Sequence, residues 1–176
     1  MSYSFYYDFI NKIYFYIAFA KFNLKFYIEH SKSDKPYIIK KIPKVDIVKD
    51  KQIEHIKNEK KVSMDKNINR DFIVKCYDTF CDDIIPDEET TQTAATNDGH
   101  LCFVLEFLPG GDMYSLIKQN MSLKHEDIQF YFAEVILAIK ELHSHDIIYR
   151  DLKLDNIMIA ADGHIKLIDF GFAKYL

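Results

Sequence analysis

The stretch YRDLKLDNIMI, residues 149–159, places Arg150, Asp151, Lys153, Asp155 and Asn156 between two short apolar runs, Ile147-Ile148 and Ile157-Met158-Ile159. Such runs read as short strands, so the polar residues between them must form a loop held at both ends. Loops fixed by a rigid scaffold are where chemistry tends to sit. Taken alone, the same residues would serve equally well as a solvated turn carrying ordinary surface charge. The remainder of the chain has to decide.

With 176 residues and 48% hydrophobic content, the chain can bury one core or most of two small lobes. A net charge of −4 gives no electrostatic reason to bind nucleic acid or an anionic membrane surface. Cys76, Cys81 and Cys102 form no C-x-x-C pair. That argues against a disulfide framework or a zinc site, and reduced, buried thiols in the cytosol are expected. The seven histidines show no metal-ligand spacing. Near the start, INKIYFYIAFAKFNLKFYI has an apolar core only from Ile13 to Ala20, with Asp8 before it and Lys21 breaking it. A spanning helix needs about 20 apolar residues, so a soluble, cytoplasmic protein is expected.

Alternation at Tyr14, Tyr16 and Ala18, then at Leu24, Phe26 and Ile28, followed by Tyr37-Ile38-Ile39, predicts three consecutive antiparallel strands. From Asp46 to Met64 the pattern turns helical, with Ile53, Ile56, Glu59 and Ser63 on one stripe. Glu59 is out of place on an inner stripe, because a buried carboxylate is costly unless a cation meets it. Strands follow around 72–77 and 101–107, separated by an acidic, Thr-rich insert at 81–99 that reads as a surface loop. After the turn LPGGD, a short helix over 113–119 and a long one over 125–143 are expected. In the long helix Ile128, Phe132, Val135, Ile136, Ile139 and Leu142 form one apolar stripe, with Phe130 and Leu137 opposite.

YRDLKLDN together with DFG at 169–171 resembles the catalytic loop and metal-binding turn of protein kinases. YIIKKIPK looks like the strand carrying the nucleotide lysine, KQIEHIKNEKK like the regulatory helix, and LEFLPGGDMYSL like the hinge between lobes. Tyr149 in place of the usual His, and the wording of helix and hinge, resemble the AGC group of Ser/Thr kinases, cyclic-nucleotide-dependent ones in particular. The resemblance implies an α+β, two-lobe, protein-kinase-like fold. Residues 1–107 would form a five-stranded N-lobe with one regulatory helix, and 108–176 the hinge and the first part of the helical C-lobe.

It also implies site residues. Asp151 would accept the proton of a substrate hydroxyl, and Lys153 would stabilise the transferring phosphoryl group. Asn156 and Asp169 would hold Mg2+, a hard cation that prefers oxygen ligands. Lys40 would contact the α- and β-phosphates of ATP and pair with Glu59. The backbone from Glu106 to Leu108 would bond adenine, with Leu105 at the back of the pocket, Met158 as its floor and Asp112 toward the ribose or a basic substrate residue. His55, Arg150 and Lys174 match residues that hold a phosphothreonine in relatives, which this sequence does not contain.

The sequence departs from the family pattern above the nucleotide. Ala18, Ala20 and Asn23 stand where the phosphate loop has glycines, which let backbone amides approach phosphate without a Cβ in the way. Phe22 fits the aromatic at the loop tip. Lys25 replaces an apolar residue over adenine, Ile38 replaces a small one, and Ser63 replaces a large apolar residue of the helix stripe. The sequence stops shortly after DFG, so Phe130 and Leu137 are expected to face water. The function implied is ATP-dependent phosphorylation of Ser/Thr side chains, incomplete in this chain and weak or absent when it acts alone. The partners implied are ATP, a protein substrate, and a regulatory subunit or partner kinase. The alternatives are a pseudokinase or partner-binding module and a nonfunctional gene fragment.

Overall fold

The computed structural model describes residues 17–20, 23–29, 36–49, 52–82, 99–119 and 123–176. Phe22 and most of the insert expected at 81–99 lie outside the described residues. The chain divides into two compact units, Met1–Gln52 with Cys76–Glu106, and Ile53–Lys75 with Phe107–Leu176.

The first unit is built on a five-stranded sheet of β1 (Ile17–Ala20), β2 (Asn23–Glu29), β3 (Pro36–Pro43), β4 (Cys76–Asp82) and β5 (His100–Glu106), in the order β1-β2-β3-β5-β4. Every neighbouring pair is antiparallel. Prolines bound β3 at both ends, where a residue unable to donate to the ladder does least harm. Ile39, Cys102 and Val104 are buried on one face, flanked by Tyr37 and Phe80. A short helix, α1 (Lys44–Lys49), follows β3. The expected single helix over 46–64 is thus two, because Gln52 N–H bonds to Ile47 O at 3.0 Å and closes the first.

The second unit contains α2 (Ile53–Met64), α3 (Met113–Lys118) and α4 (His125–Ser144). It also holds two small antiparallel two-stranded sheets, β6 (Ile147–Ile148) with β9 (Lys174–Tyr175) and β7 (Ile157–Ile159) with β8 (Ile165–Leu167). The two apolar runs that bracket the polar loop are therefore not partners of each other. Each pairs with a later strand. Val62, Leu142, Ile147, Tyr149, Ile165, Leu167 and Phe170 are almost wholly buried in one core. The Arg70 guanidinium donates to the carbonyls of Val62, Ser63 and Asp65 at 2.9, 3.0 and 2.7 Å. These carbonyls lie at and just beyond the C-terminal end of α2, where helix carbonyls lack i+4 donors.

Three sequence expectations need correction. The strand predicted over 72–77 begins only at Cys76. Residues before it are drawn to the other unit, where Val74 N–H donates to Leu167 O and Leu167 N–H to Phe72 O, both at 2.9 Å. On α4 the buried residues are Glu134, Val135, Ala138 and Leu142, while Ile128, Phe132 and Ile136 of the predicted stripe are exposed. On α2, Val62 takes the buried place and Ile53 is exposed. Among the cysteines, Cys76 and Cys102 are buried and Cys81 is exposed. Phe130 and Leu137 are exposed, as expected.

Candidate active site

The polar loop leaves β6 through Tyr149, whose ring is buried against Phe170 with centroids 5.6 Å apart. Its hydroxyl donates to Ile168 O at 2.6 Å, and Ile168 N–H donates to Asn156 O at 3.0 Å. The segment 149–156 and the segment around Ile168 are thereby tied together. Burial, and then the carboxylates of Asp169 and Asp151, push the Tyr149 phenol far above its usual range, so it stays neutral and keeps its proton to donate.

Within this frame Lys153 Nζ lies 2.8 Å from Asp151 Oδ2. Asn156 Nδ2 donates to the same oxygen at 2.8 Å and to Asp151 O at 3.0 Å. The bond to Asp151 is the main cause of a raised Lys153 pKa, so that ammonium is secure at neutral pH. Asn156 is only 6% exposed and spends its amide nitrogen on Asp151.

Arg150 and Asp169 both have φ near +60°, at 66° and 60°. This left-handed region is strained for residues other than glycine, and such strain persists where surroundings over-determine it. Here Arg150 Nε donates to Phe172 O at 2.7 Å, and Asp169 Oδ1 accepts from Gly171 N–H at 3.3 Å. The His55 ring packs edge-on to Phe172 at 4.7 Å. His55 and Arg150 therefore meet at Phe172, while Lys174 is exposed.

In the first unit, strand register gathers the other candidates. Ala18 pairs with Lys25, Lys25 with Lys40, and Lys40 with Phe103, forming one row across the sheet. Ala20 pairs with Asn23 and Ile38 with Leu105. Side chains alternate between faces with period two, so Ile38, Lys40, Phe103 and Leu105 share one face of the β3–β5 pair. Lys40 is 5% exposed and its Nζ stands 6.0 Å from the Phe103 ring centre. Like charges directly opposite on neighbouring strands destabilise a pair. Lys25→Val is expected to stabilise the first unit by about 0.2–1 kcal/mol in a urea unfolding series, whereas Lys25→Arg is expected to leave it unchanged.

The remaining candidates fall in or at the edge of the second unit. Glu59 is buried on α2, at 5% exposure. Glu106 ends β5, and Leu108 is buried in the second unit's core. Asp112 caps α3, accepting from Ser115 N–H at 2.7 Å and from the Ser115 hydroxyl at 2.8 Å. It also forms a backbone bridge with half-buried Met158 on β7. The motif reading overlooked Arg70 and the Glu134–His164 pair, since a lone Arg in a loop or a lone Glu on a helix gives no local signal. Among the described residues no three His, Cys, Asp or Glu side chains cluster as a metal cage, and no helix is long and apolar enough to cross a membrane.

A sheet bearing a buried lysine, followed by a helical unit that carries a strained acidic loop, defines an α+β fold of the protein-kinase type. The protein kinase domain, as a sequence family, matches residues 23–176. The chain belongs to the protein kinase family. It is similar to cAMP-dependent protein kinase type 3 of Saccharomyces cerevisiae, at 38% identity over 140 residues, 80% of this chain and 31% of that protein. It is also similar to the cAMP-dependent protein kinase catalytic subunit of Dictyostelium discoideum, at 33% identity over 158 residues, 90% of this chain and 22% of that protein. The human cAMP-dependent protein kinase catalytic subunit PRKX is 37% identical over 131 residues, 74% of this chain and 32% of that protein. The chain spans between about a fifth and a third of the length of these relatives.

Proposed function

We propose that this chain carries the nucleotide-binding and catalytic-loop part of an AGC-type Ser/Thr protein kinase, transferring the γ-phosphoryl group of Mg-ATP to a protein hydroxyl. The observation that carries this reading is the Asp151–Lys153–Asn156 cluster, with both contacts to the Asp151 carboxylate at 2.8 Å. Phosphoryl transfer asks for positioning and charge neutralisation more than for covalent chemistry. Asp151 would take the hydroxyl proton, while Lys153 sets the charge around the transferred group. The amide oxygen of Asn156 and the carboxylate of Asp169 suit Mg2+, which uses one or two protein oxygens and fills its remaining places with water and substrate phosphate. When bound, the cation would neutralise charge on the β- and γ-phosphates. Lys40 would meet the α- and β-phosphates, with Glu59 as its proposed partner carboxylate.

The adenine contacts proposed for Leu105, the 106–108 backbone and Met158 belong to the same reading, as does Asp112 toward ribose. So does a regulatory subunit or partner kinase, since the relatives are named as cAMP-dependent. A cytoplasmic location suits an ATP-using enzyme. A second reading, a pseudokinase or partner-binding module, is favoured by one observation, the register that pairs Lys25 directly with Lys40 and Ala18 with Lys25.

Thermal unfolding with Mg-ATP separates the two. Ligand at about a hundred times its Kd adds about 2.7 kcal/mol, which corresponds to a rise of roughly 5–10 °C for a chain of this size. The rise is expected for the unaltered chain and is expected to vanish in Lys40→Met and to shrink in Asp169→Asn. An unaltered chain whose melting point ignores millimolar Mg-ATP would exclude the catalytic reading.

A further inference from the structure

Glu134 lies midway along α4 and is 4% exposed, far from the polar loop in sequence. Its Oε2 accepts the Ile165 N–H at 3.0 Å, and its Oε1 meets Nδ1 of His164. Both partners stand where β8 begins, in the hairpin that joins Asn156 to Asp169. A buried carboxylate is costly unless opposed by a cation or satisfied by donors. One backbone N–H supplies half of that need, and the imidazole supplies the other half.

An ionised carboxylate only accepts hydrogen bonds, so Nδ1 of His164 must carry the proton that it shares with Glu134. Acid and base forms of the ring then differ at Nε2. The His164 side chain is 48% exposed, so water reaches the ring. Changing pH therefore alters the charge that faces Glu134 without requiring the Nδ1 bond to break. The Phe130 and Phe72 rings also approach the imidazole, at 5.6 and 6.4 Å between centroids, and aromatic faces favour the cationic form.

We propose that His164 and Glu134 form a proton-dependent latch that fastens the β7–β8 hairpin to α4, tighter when the imidazole is charged. The charged groups acting on His164 are Glu134 from α4 and Asp162 from its own turn; Phe72, from the segment before β4, contributes only an uncharged ring. Both carboxylates favour the imidazolium, and the bond to Glu134 is the larger cause of a raised His164 pKa. The sign follows from the linkage between proton binding and folding. With the folded value above the unfolded one, the stabilisation is complete below the ordinary histidine value and is lost as pH rises through the raised one.

The test is an NMR titration of the His164 ring in the whole chain, with melting curves at about pH 5.5 and about pH 8.5, on either side of ordinary histidine titration. His164 is expected to titrate above free histidine and to fall back toward it in Glu134→Gln. His164→Gln keeps a hydrogen-bond donor and removes the charge, so the gap between its acid and alkaline melting points should shift relative to the unaltered chain, with the acid side losing stability. A His164 resonance titrating at or below the free value, or a His164→Gln chain with an unchanged gap, would overturn the latch. Neither readout requires nucleotide or phosphotransfer, so the outcome is independent of the proposed kinase reaction.

Discussion

Phe170→Ala is expected to cost the second unit about 3–5 kcal/mol, the range for removing a buried aromatic side chain. Phe170 is 1% exposed, sits in the same core as Leu142, Ile147 and Leu167, and packs edge-on to Tyr149. The side chain has nowhere to relax toward, because its neighbours are themselves fully buried. The loss would appear as a lower urea midpoint at unchanged slope, and Phe170→Leu should recover most of it, since hydrophobic swaps of similar size cost less than about 1.5 kcal/mol. If alanine cost under about 1 kcal/mol, the packing described for the core around the DFG segment would be wrong.

Gly110 provides the second large effect, for a reason unrelated to burial. A Cβ there would lie 2.6 Å from Ile159 Cβ and 2.8 Å from Ile159 O. The backbone of Gly110 donates to that same oxygen at 3.0 Å, and Ile159 N–H returns a bond to Gly111 O at 2.9 Å. Any side chain must pry this turn from β7. Gly110→Ala is expected to cost about 1–3 kcal/mol, as overpacking does, and Gly110→Asn at least as much. Gly111 differs, with φ at +73° and open space around its missing side chain. Asparagine tolerates that conformation, so Gly111→Asn should be near neutral. Equal costs at the two positions in chemical denaturation would contradict the geometry.

The fold was legible where short-range pattern and motif agreed. Alternation announced β2, the run Tyr37-Ile38-Ile39 announced β3, and the polar loop between Ile148 and Ile157 lies where its flanks required. Periodicity failed on α4 because apolar residues encircle that helix, and nothing local says which of them meet β8 and the small sheets. It failed again at 72–77, where one stretch, apolar but for Lys75, serves two units and only tertiary pairing divides it. Among candidate site residues, Asp151, Lys153 and Asn156, singled out by the family resemblance, sit close in sequence and meet in space. The row of Ala18, Lys25 and Lys40 depended on register, which a one-residue slip would have moved to the opposite face. Phe22 and most of the insert at 81–99 lie outside the described residues.

The Tyr149 clamp has an implication for how the loop meets changing acidity. A phenol held well above its ordinary range, donating from a buried position to Ile168 O, cannot gain or lose a proton anywhere in the span that cells experience. An imidazole at that position would titrate within it. Joining the two segments through tyrosine makes this tie between them blind to protons.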